Sequence, residues 1–286
     1  MSGKRGFSVT IFIPTGEPEG LRIVEKTNWS GVGVVFPRAQ FPLARQRKEL
    51  QCAGVYILWA PNETGLLPRV YIGEGDPVLS RLDQHAKQKD FWTHAAVFTS
   101  KDQNLNKAHV QYLEARLVAL ANDARRAELD HGNVPKLPAL SEAESAYAEA
   151  FLDDVLLCLP VVGVSFFEKA KIDAPKSSDL IIRSKKCIEA RGVETPQGFI
   201  VRAGSQAAKD ETRSLYETYR NLRNSLLKQG ILKDEGSHLV FTQDYPFESP
   251  SAAAAVVLGR SANGLTEWKD PKGRMLKEIR QAFFVE

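Results

Sequence analysis

Two short apolar runs, each carrying a tyrosine, face one another across a cluster of turn formers. The runs are Gly54-Val55-Tyr56-Ile57-Leu58 and Val70-Tyr71-Ile72-Gly73, and Pro61-Asn62-Glu63-Thr64-Gly65 lies between them. β-rich segments separated by such a cluster predict an antiparallel hairpin over residues 54–73. Side chains on a strand alternate between faces, so Tyr56 and Tyr71 are expected close together on one face. Aromatics on strands most often serve a core, and the pair by itself supports no more than that.

The segments after the hairpin add chemistry. Asp76 is placed to cap a helix with Pro77 at its first position, and Val78, Leu82 and Ala86 supply an apolar stripe. Arg81 and His85 stand four residues apart on that helix and share a face. Arginine suits a phosphate because its planar fork donates two parallel charge-assisted hydrogen bonds. A solvated face is the competing reading, since Asp83, Gln84, Lys87, Gln88 and Lys89 surround the pair. His94 to Thr99 reads as another strand. A long helix, capped by Asn104 or Asn106, then runs to about Arg126. On it Glu114 has apolar neighbours at i−4, i+3, i+4 and i+7: Val110, Leu117, Val118 and Ala121. A carboxylate in such a surround is costly unless it is paired or bound to a metal. The alternative is an edge glutamate that snorkels to water or pairs with a lysine or arginine.

The flanks are read more coarsely. Phe7 to Ile13, Leu21 to Glu25 and Val32 to Phe36 form a β-meander too small to stand alone, and Ala44 to Gln51 is a helical connector. Ser141-Glu142-Ala143-Glu144 is a capping box that opens a helix through about Leu157. Lys169 to Asp179 is polar and linker-like. Beyond it come strands at Leu180–Arg183, Gly198–Val201 and Leu239–Phe241. A charged helix over 208–229 is expected to turn Lys209, Arg213, Arg220, Arg223 and Lys228 toward solvent, balanced by Asp210, Glu211 and Glu217. Ser249, Pro250 and Gly259 frame an alanine-rich helix, Asn263-Gly264 is a turn, and Met275 to Phe283 is a final helix.

The whole chain of 286 residues is 43% hydrophobic and 26% charged, with net charge +3, an ordinary globular balance that permits a polyanionic partner without demanding one. Three scattered cysteines, Cys52, Cys158 and Cys187, show no metal-binding spacing and point to a reducing compartment. The start of the chain carries no apolar signal region, and the most apolar stretch, Val155 to Phe167, is too short to span a bilayer. A cytoplasmic protein without membrane contact is expected.

In this order, Gly-Val-Tyr, turn, Tyr-Ile-Gly, a helix bearing Arg81 and His85, a strand and a helix bearing Glu114 resemble the GIY-YIG nuclease family over residues 50–135. The resemblance implies an α+β fold whose core is a small three-stranded antiparallel sheet flanked by helices. It implies metal-dependent hydrolysis of DNA, with Mg²⁺ as cofactor and Mn²⁺ as an alternative. Tyr56 and Tyr71 match the paired tyrosines, Arg81 the arginine that stabilises phosphate charge, His85 a histidine of some members, and Glu114 the single metal ligand. The family also uses an asparagine after the glutamate helix, for which Asn133 is preferred over Asn122. In this scheme Tyr56 or His85 handles the attacking water's proton. A catalytically silent nucleic-acid-binding or regulatory module is the alternative function.

The C-terminal third, through Asp244-Tyr245-Pro246-Phe247, Ser249-Pro250-Ser251-Ala252-Ala253-Ala254 and Gly259-Arg260-Ser261-Ala262-Asn263-Gly264 before Trp268, resembles an uncharacterised domain often attached to such modules. Arg260, Lys269 and Lys272 are its candidate DNA contacts. The organisation expected is a β-rich N-terminal extension (1–49), the nuclease module with its C-terminal helix (50–168), a linker (169–178) and an α+β accessory domain (179–286).

Overall fold

A computed structural model describes residues 6–60, 67–130, 134–170, 172, 175, 178–184, 188–196 and 198–282. The fold is α+β. The chain divides into two compact units, residues 1–61 with 68–168, and residues 62–67 with 169–286. Among the described residues, no helix is long and apolar enough to cross a membrane.

The first unit is built on β1 (Val9–Phe12), β2 (Arg22–Lys26), β3 (Gly31–Pro37), a short α1 (Phe41–Ala44), β4 (Gly54–Ala60), β5 (Arg69–Gly75), α2 (Val78–Gln88), β6 (His94–Ser100), α3 (Lys107–Ala124), β7 (Glu128–Leu129) and α4 (Glu142–Cys158). No separate three-stranded sheet stands in this unit: β6, β4 and β5 are antiparallel neighbours within a larger one. All seven strands form one sheet in the order β1-β2-β3-β6-β4-β5-β7. The reason is the outer edge of β6, whose backbone groups need partners. β3 pairs with β6 along seven residues, from Gly31↔Ser100 to Pro37↔His94, and so draws the N-terminal meander into the same sheet.

Period-two alternation divides β4 cleanly. Val55, Ile57 and Trp59 join Val70, Ile72 and Phe98 in a core covered by α3 and α4. Tyr56 and Leu58 point the other way, into a second core with Val78 and Leu82 of α2, Phe41 and Ala44 of α1, and Val32, Val34 and Phe36 of β3. The sheet is therefore buried on both faces, which explains why β4 reads as a continuous apolar run.

Helix starts follow local chemistry with one correction. Asn106 caps α3: its Oδ1 accepts from His109 N at 3.0 Å. Ser141 and Glu144 form the capping box of α4. Asp76, however, does not cap α2. Pro77 occupies the cap position, and the first helical N–H, that of Val78, donates to Cys52 O at 3.1 Å. The connector's backbone thus satisfies the donor that a side-chain cap would have served.

The second unit comprises β8 (Leu180–Arg183), β9 (Glu189–Thr195), β10 (Gly198–Val201), β11 (Gln206–Ala208), α5 (Glu217–Lys228), β12 (Leu232–Asp234), β13 (His238–Phe241), β14 (Tyr245–Phe247), α6 (Pro250–Leu258), α7 (Gly264–Glu267) and α8 (Leu276–Ala282). They make a four-stranded sheet, β14-β10-β9-β8, and a three-stranded one, β11-β13-β12. The alanine-rich α6 is buried from Ala252 to Leu258. Small side chains let it pack as a core helix, capped by Ser249 and ended by Gly259 at φ +63°.

Two expectations fail in this unit for one reason. The charged helix begins at Glu217, not 208, and Arg223 is not solvated but only 1% exposed. Its guanidinium donates to the carbonyls of Ala208, Lys209 and Val256 and pairs with Glu211 at 3.0 Å. Carbonyls turned toward Arg223 are not available to extend the helix backwards.

Candidate active site

The hairpin brings the two tyrosines together as the alternation predicts. Tyr56 lies opposite Gly73 and Leu58 opposite Tyr71, so both phenols share the α2 face. Their ring centroids are 6.2 Å apart. Gly73 is required there: a Cβ at that position would sit 2.4 Å from the Tyr56 hydroxyl oxygen. At Gly75 a Cβ would lie 2.7 Å from Val78 Cα and 3.2 Å from Arg81 Cγ. Missing side chains at Gly73 and Gly75 thus let the phenol lie over β5 and let α2 start close against it.

That close start delivers His85. Its Nε2 is 2.8 Å from the Tyr56 hydroxyl, and its ring centroid is 4.7 Å from that of Tyr71. Burial pushes the His85 imidazole down to about 4, with Lys89 and Arg81 adding to the effect. The ring is therefore neutral at pH 7. Tyr56 is pushed far above its ordinary value by burial first, then by the negative charge of neighbours including Glu114. A hydrogen bond also links the two phenols. His85 Nδ1 is buried and has no hydrogen-bond partner among the described residues. A hydrogen-bonded relay results, from His85 Nε2 through the Tyr56 hydroxyl to the half-buried Tyr71.

Lys89 and Asp130 brace its outer end. Lys89 Nζ sits 4.4 Å over the Tyr71 ring and is held by Asp130 at 2.6 Å. Asp130 also anchors Arg69, and a cation over a phenol face is itself attractive. Nothing in the sequence singled out Lys89 or Asp130, because their partnership crosses from the end of α2 to the segment after β7.

Glu114 reaches this group from α3. Val110, Leu117, Val118 and Ala121 are all buried around it, as the helical spacing predicts. Glu114 itself is half-buried and makes no ion pair or hydrogen bond among the described residues. Burial pushes its carboxyl up to about 7, and the charge of Glu74 adds to that, while Lys107 and Arg81 pull the other way. Both phenols respond to the charge of Glu114 and of Arg81. Arg81 is exposed and also forms no ion pair or hydrogen bond among the described residues. Glu74 was missed by sequence reasoning. It lies on the opposite face of β5 from Tyr71, is tied to Lys107 at 2.6 Å, and supplies a second carboxylate near Glu114. Of the two asparagines, Asn122 is exposed on α3, and Asn133 lies outside the described residues.

Charge coupling links Tyr56, Tyr71, Arg81 and Glu114, with His85 coupled to Arg81, although 58 positions separate the first from the last and α3, which carries Glu114, covers the sheet face opposite Tyr56. Among the described residues there is no group of three or more His, Cys, Asp or Glu able to hold a metal ion. The chemistry of Glu114 with Glu74 nearby fits a hard divalent cation that keeps most of its waters, because Mg²⁺ is commonly held by one or two carboxylates. A carboxyl held near 7 by burial and a like charge is also one whose ionised form a cation would favour.

In the second unit the candidate DNA contacts diverge. Arg260 is paired with Glu267 at 2.7 Å, whereas Lys269 and Lys272 are exposed. Trp268 is fully buried, donates Nε1–H to Pro250 O at 2.9 Å and packs on Phe199 at 4.6 Å. Gly264 is needed for that arrangement, since a Cβ would lie 2.2 Å from the Pro250 carbonyl carbon. Asn263 caps α7 rather than forming a bare turn. Residues 180–280 match the family model DUF4357, a domain of unknown function. No curated protein and no solved structure matches the chain.

Proposed function

We propose that this protein hydrolyses DNA phosphodiester bonds with Mg²⁺ or Mn²⁺ at the cluster of Tyr56, Tyr71, Arg81, His85 and Glu114, as its resemblance to GIY-YIG nucleases implies. The observation that carries the reading is the state of Glu114: half-buried, without an ion pair among the described residues, and held near 7 on the same site as the exposed Arg81. Strongly perturbed acids that lack a structural partner are concentrated at functional sites.

Each side chain has a task its surroundings support. Arg81 binds the phosphate and offsets charge developing on its non-bridging oxygens. Glu114, with Glu74 near it, holds the cation; when bound, the cation supplies Lewis acidity and a lowered pKa for a coordinated water. Tyr71, at the outer end of the relay, orients the attacking water by hydrogen bonding. Tyr56 holds Tyr71 in place and stays protonated, so the phenol serves as a relay rather than a resting phenolate. His85, neutral and hydrogen-bonded through Nε2 to the Tyr56 hydroxyl, closes the inner end of that relay. This distribution moves the general-base role away from Tyr56, because an acid raised that far is a poor proton acceptor at pH 7.

The same observation on Tyr56 favours the second reading, a catalytically silent nucleic-acid-binding module. Incubating the purified chain with supercoiled plasmid and with single-stranded DNA in Mg²⁺, Mn²⁺ or EDTA separates the two. Nicking that needs metal and is lost in Glu114→Ala and Arg81→Ala supports the nuclease. Tight binding without cleavage in any metal rejects it.

A further inference from the structure

Beside the start of α2 a cleft of about 570 Å³ opens between the turn at Lys48–Gln51, the beginning of β4 and the end of β6. None of the five proposed catalytic side chains lines it. It is nevertheless their neighbour. Thr99 lies opposite Gly54 and Val97 opposite Tyr56, so Thr99 points to the same sheet face as Tyr56. Asp76 lines the cleft, and Arg81 follows one helical turn, about 5 Å, beyond Val78.

The lining has two characters. Val32, Ala53 and Leu105 give buried apolar walls. Glu49, Thr99 and Ser100 are each more than nine-tenths buried, at 8%, 1% and 3% exposure, yet polar; Glu49 is held by Arg47 and Ser100 by Asp102. Thr99 Oγ1 has no hydrogen-bond partner among the described residues, a cost that natural interiors rarely leave standing. The amides of Gln51 and Gln103 stand at the rim. Lys48 is exposed, with no ion pair among the described residues, while Lys101 stays within 3.6 Å of Glu25. Apolar walls suit the faces of a planar ring, amides and hydroxyls suit its hydrogen-bonding edges, and an exposed ammonium suits a phosphate.

We propose that this cleft binds one nucleoside monophosphate unit, its base between Val32, Ala53 and Leu105 and its phosphate toward Lys48. The choice of a nucleotide rests on the nuclease reading; the cleft and its unpartnered hydroxyl do not. The unit is either a free nucleotide or part of a bound strand, and the chemistry of recognition is shared.

The test is a calorimetric titration of the full chain, without divalent metal, with deoxynucleoside monophosphates, with a trinucleotide and with inorganic phosphate. Mononucleotides are expected to bind where phosphate at the same concentration does not. Thr99→Val and Lys48→Ala should each weaken binding about fivefold with the thermal transition retained. Ala53→Leu, which fills the apolar wall, should remove it. Tighter binding of the trinucleotide assigns the cleft to a strand, and equal affinity assigns it to a free nucleotide; both uphold the proposal. Binding of phosphate alone, no nucleotide binding, or affinity unchanged in all three variants overturns it. Plasmid cleavage with nucleotide-insensitive binding would reject the cleft and leave the nuclease, whereas nucleotide binding without metal-dependent cleavage would do the reverse.

Discussion

Each unit sets one charged side chain among apolar neighbours, and the two are treated in opposite ways. Arg223 in the second unit is 1% exposed, and carbonyls of Ala208, Lys209 and Val256 together with Glu211 take up its donors. Burial pulls its guanidinium down, and Glu211 pulls it back. Glu114 in the first unit is half-buried beside apolar neighbours on its own helix but is given no ion pair among the described residues. A buried charge that is fully satisfied holds a fold together, whereas one left unpaired is a cost that function must justify.

This contrast can be broken by experiment. The largest effect belongs to Glu114→Ala, which should drop metal-dependent cleavage to the rate seen in EDTA while far-UV circular dichroism stays unchanged. A folded variant that still cleaves would place Glu114 with the structural charges. Arg81→Ala should come second, costing about 10²–10³-fold in cleavage rate, with only partial recovery in Arg81→Lys. Full activity in Arg81→Ala would remove the phosphate role. Arg223→Met should act on stability instead, lowering that of the second unit by about 3 kcal/mol in urea unfolding, because three carbonyls lose a buried donor and Glu211 keeps only its pair with Arg220. Equal midpoints would mean that Arg223 is as dispensable as a surface charge.

The smallest effects are in pH dependence, and their signs differ. Glu114 is raised to about 7 from 4.5, so the folded state favours its protonated form. That advantage is complete below about pH 4.5 and is lost as pH rises through 7. Glu114→Gln should therefore leave the melting temperature unchanged at pH 4 and raise it at pH 8 in EDTA. His85 is lowered to about 4 from 6.5, so the folded state favours the neutral ring. Its contribution is present above about pH 6.5 and is lost as pH falls toward 4. His85→Gln should flatten the stability profile across that window, and an unaltered slope would rule out the buried neutral imidazole.

Much of the first unit was legible in the chain. Period-two patterning gave the hairpin and the shared face of Tyr56 and Tyr71, and helical spacing gave the apolar surround of Glu114. Long-range pairing was not legible. Nothing local says that β3 must seal β6 and extend the sheet to seven strands. Nor does a sequence window distinguish Arg223, buried against carbonyls from α6 and β11, from Arg220 one turn earlier, which lies partly in solvent. Glu74 was hidden by the same limit, since its relation to Glu114 and Lys107 exists only once α3 lies across β5. Local rules also misassigned Asp76, because the donor it was to satisfy is taken by Cys52 O.

The central claim, that Glu114 is left unpaired in order to hold a catalytic cation, is tested most directly by single-turnover cleavage of an end-labelled DNA duplex at saturating Mg²⁺, comparing the unmodified chain with Glu114→Gln. Glutamine keeps the shape and removes the charge. The account predicts metal-dependent cleavage by the unmodified chain and only the EDTA background from Glu114→Gln, with both proteins folded. Equal rates from the two, or no cleavage by either, would contradict it.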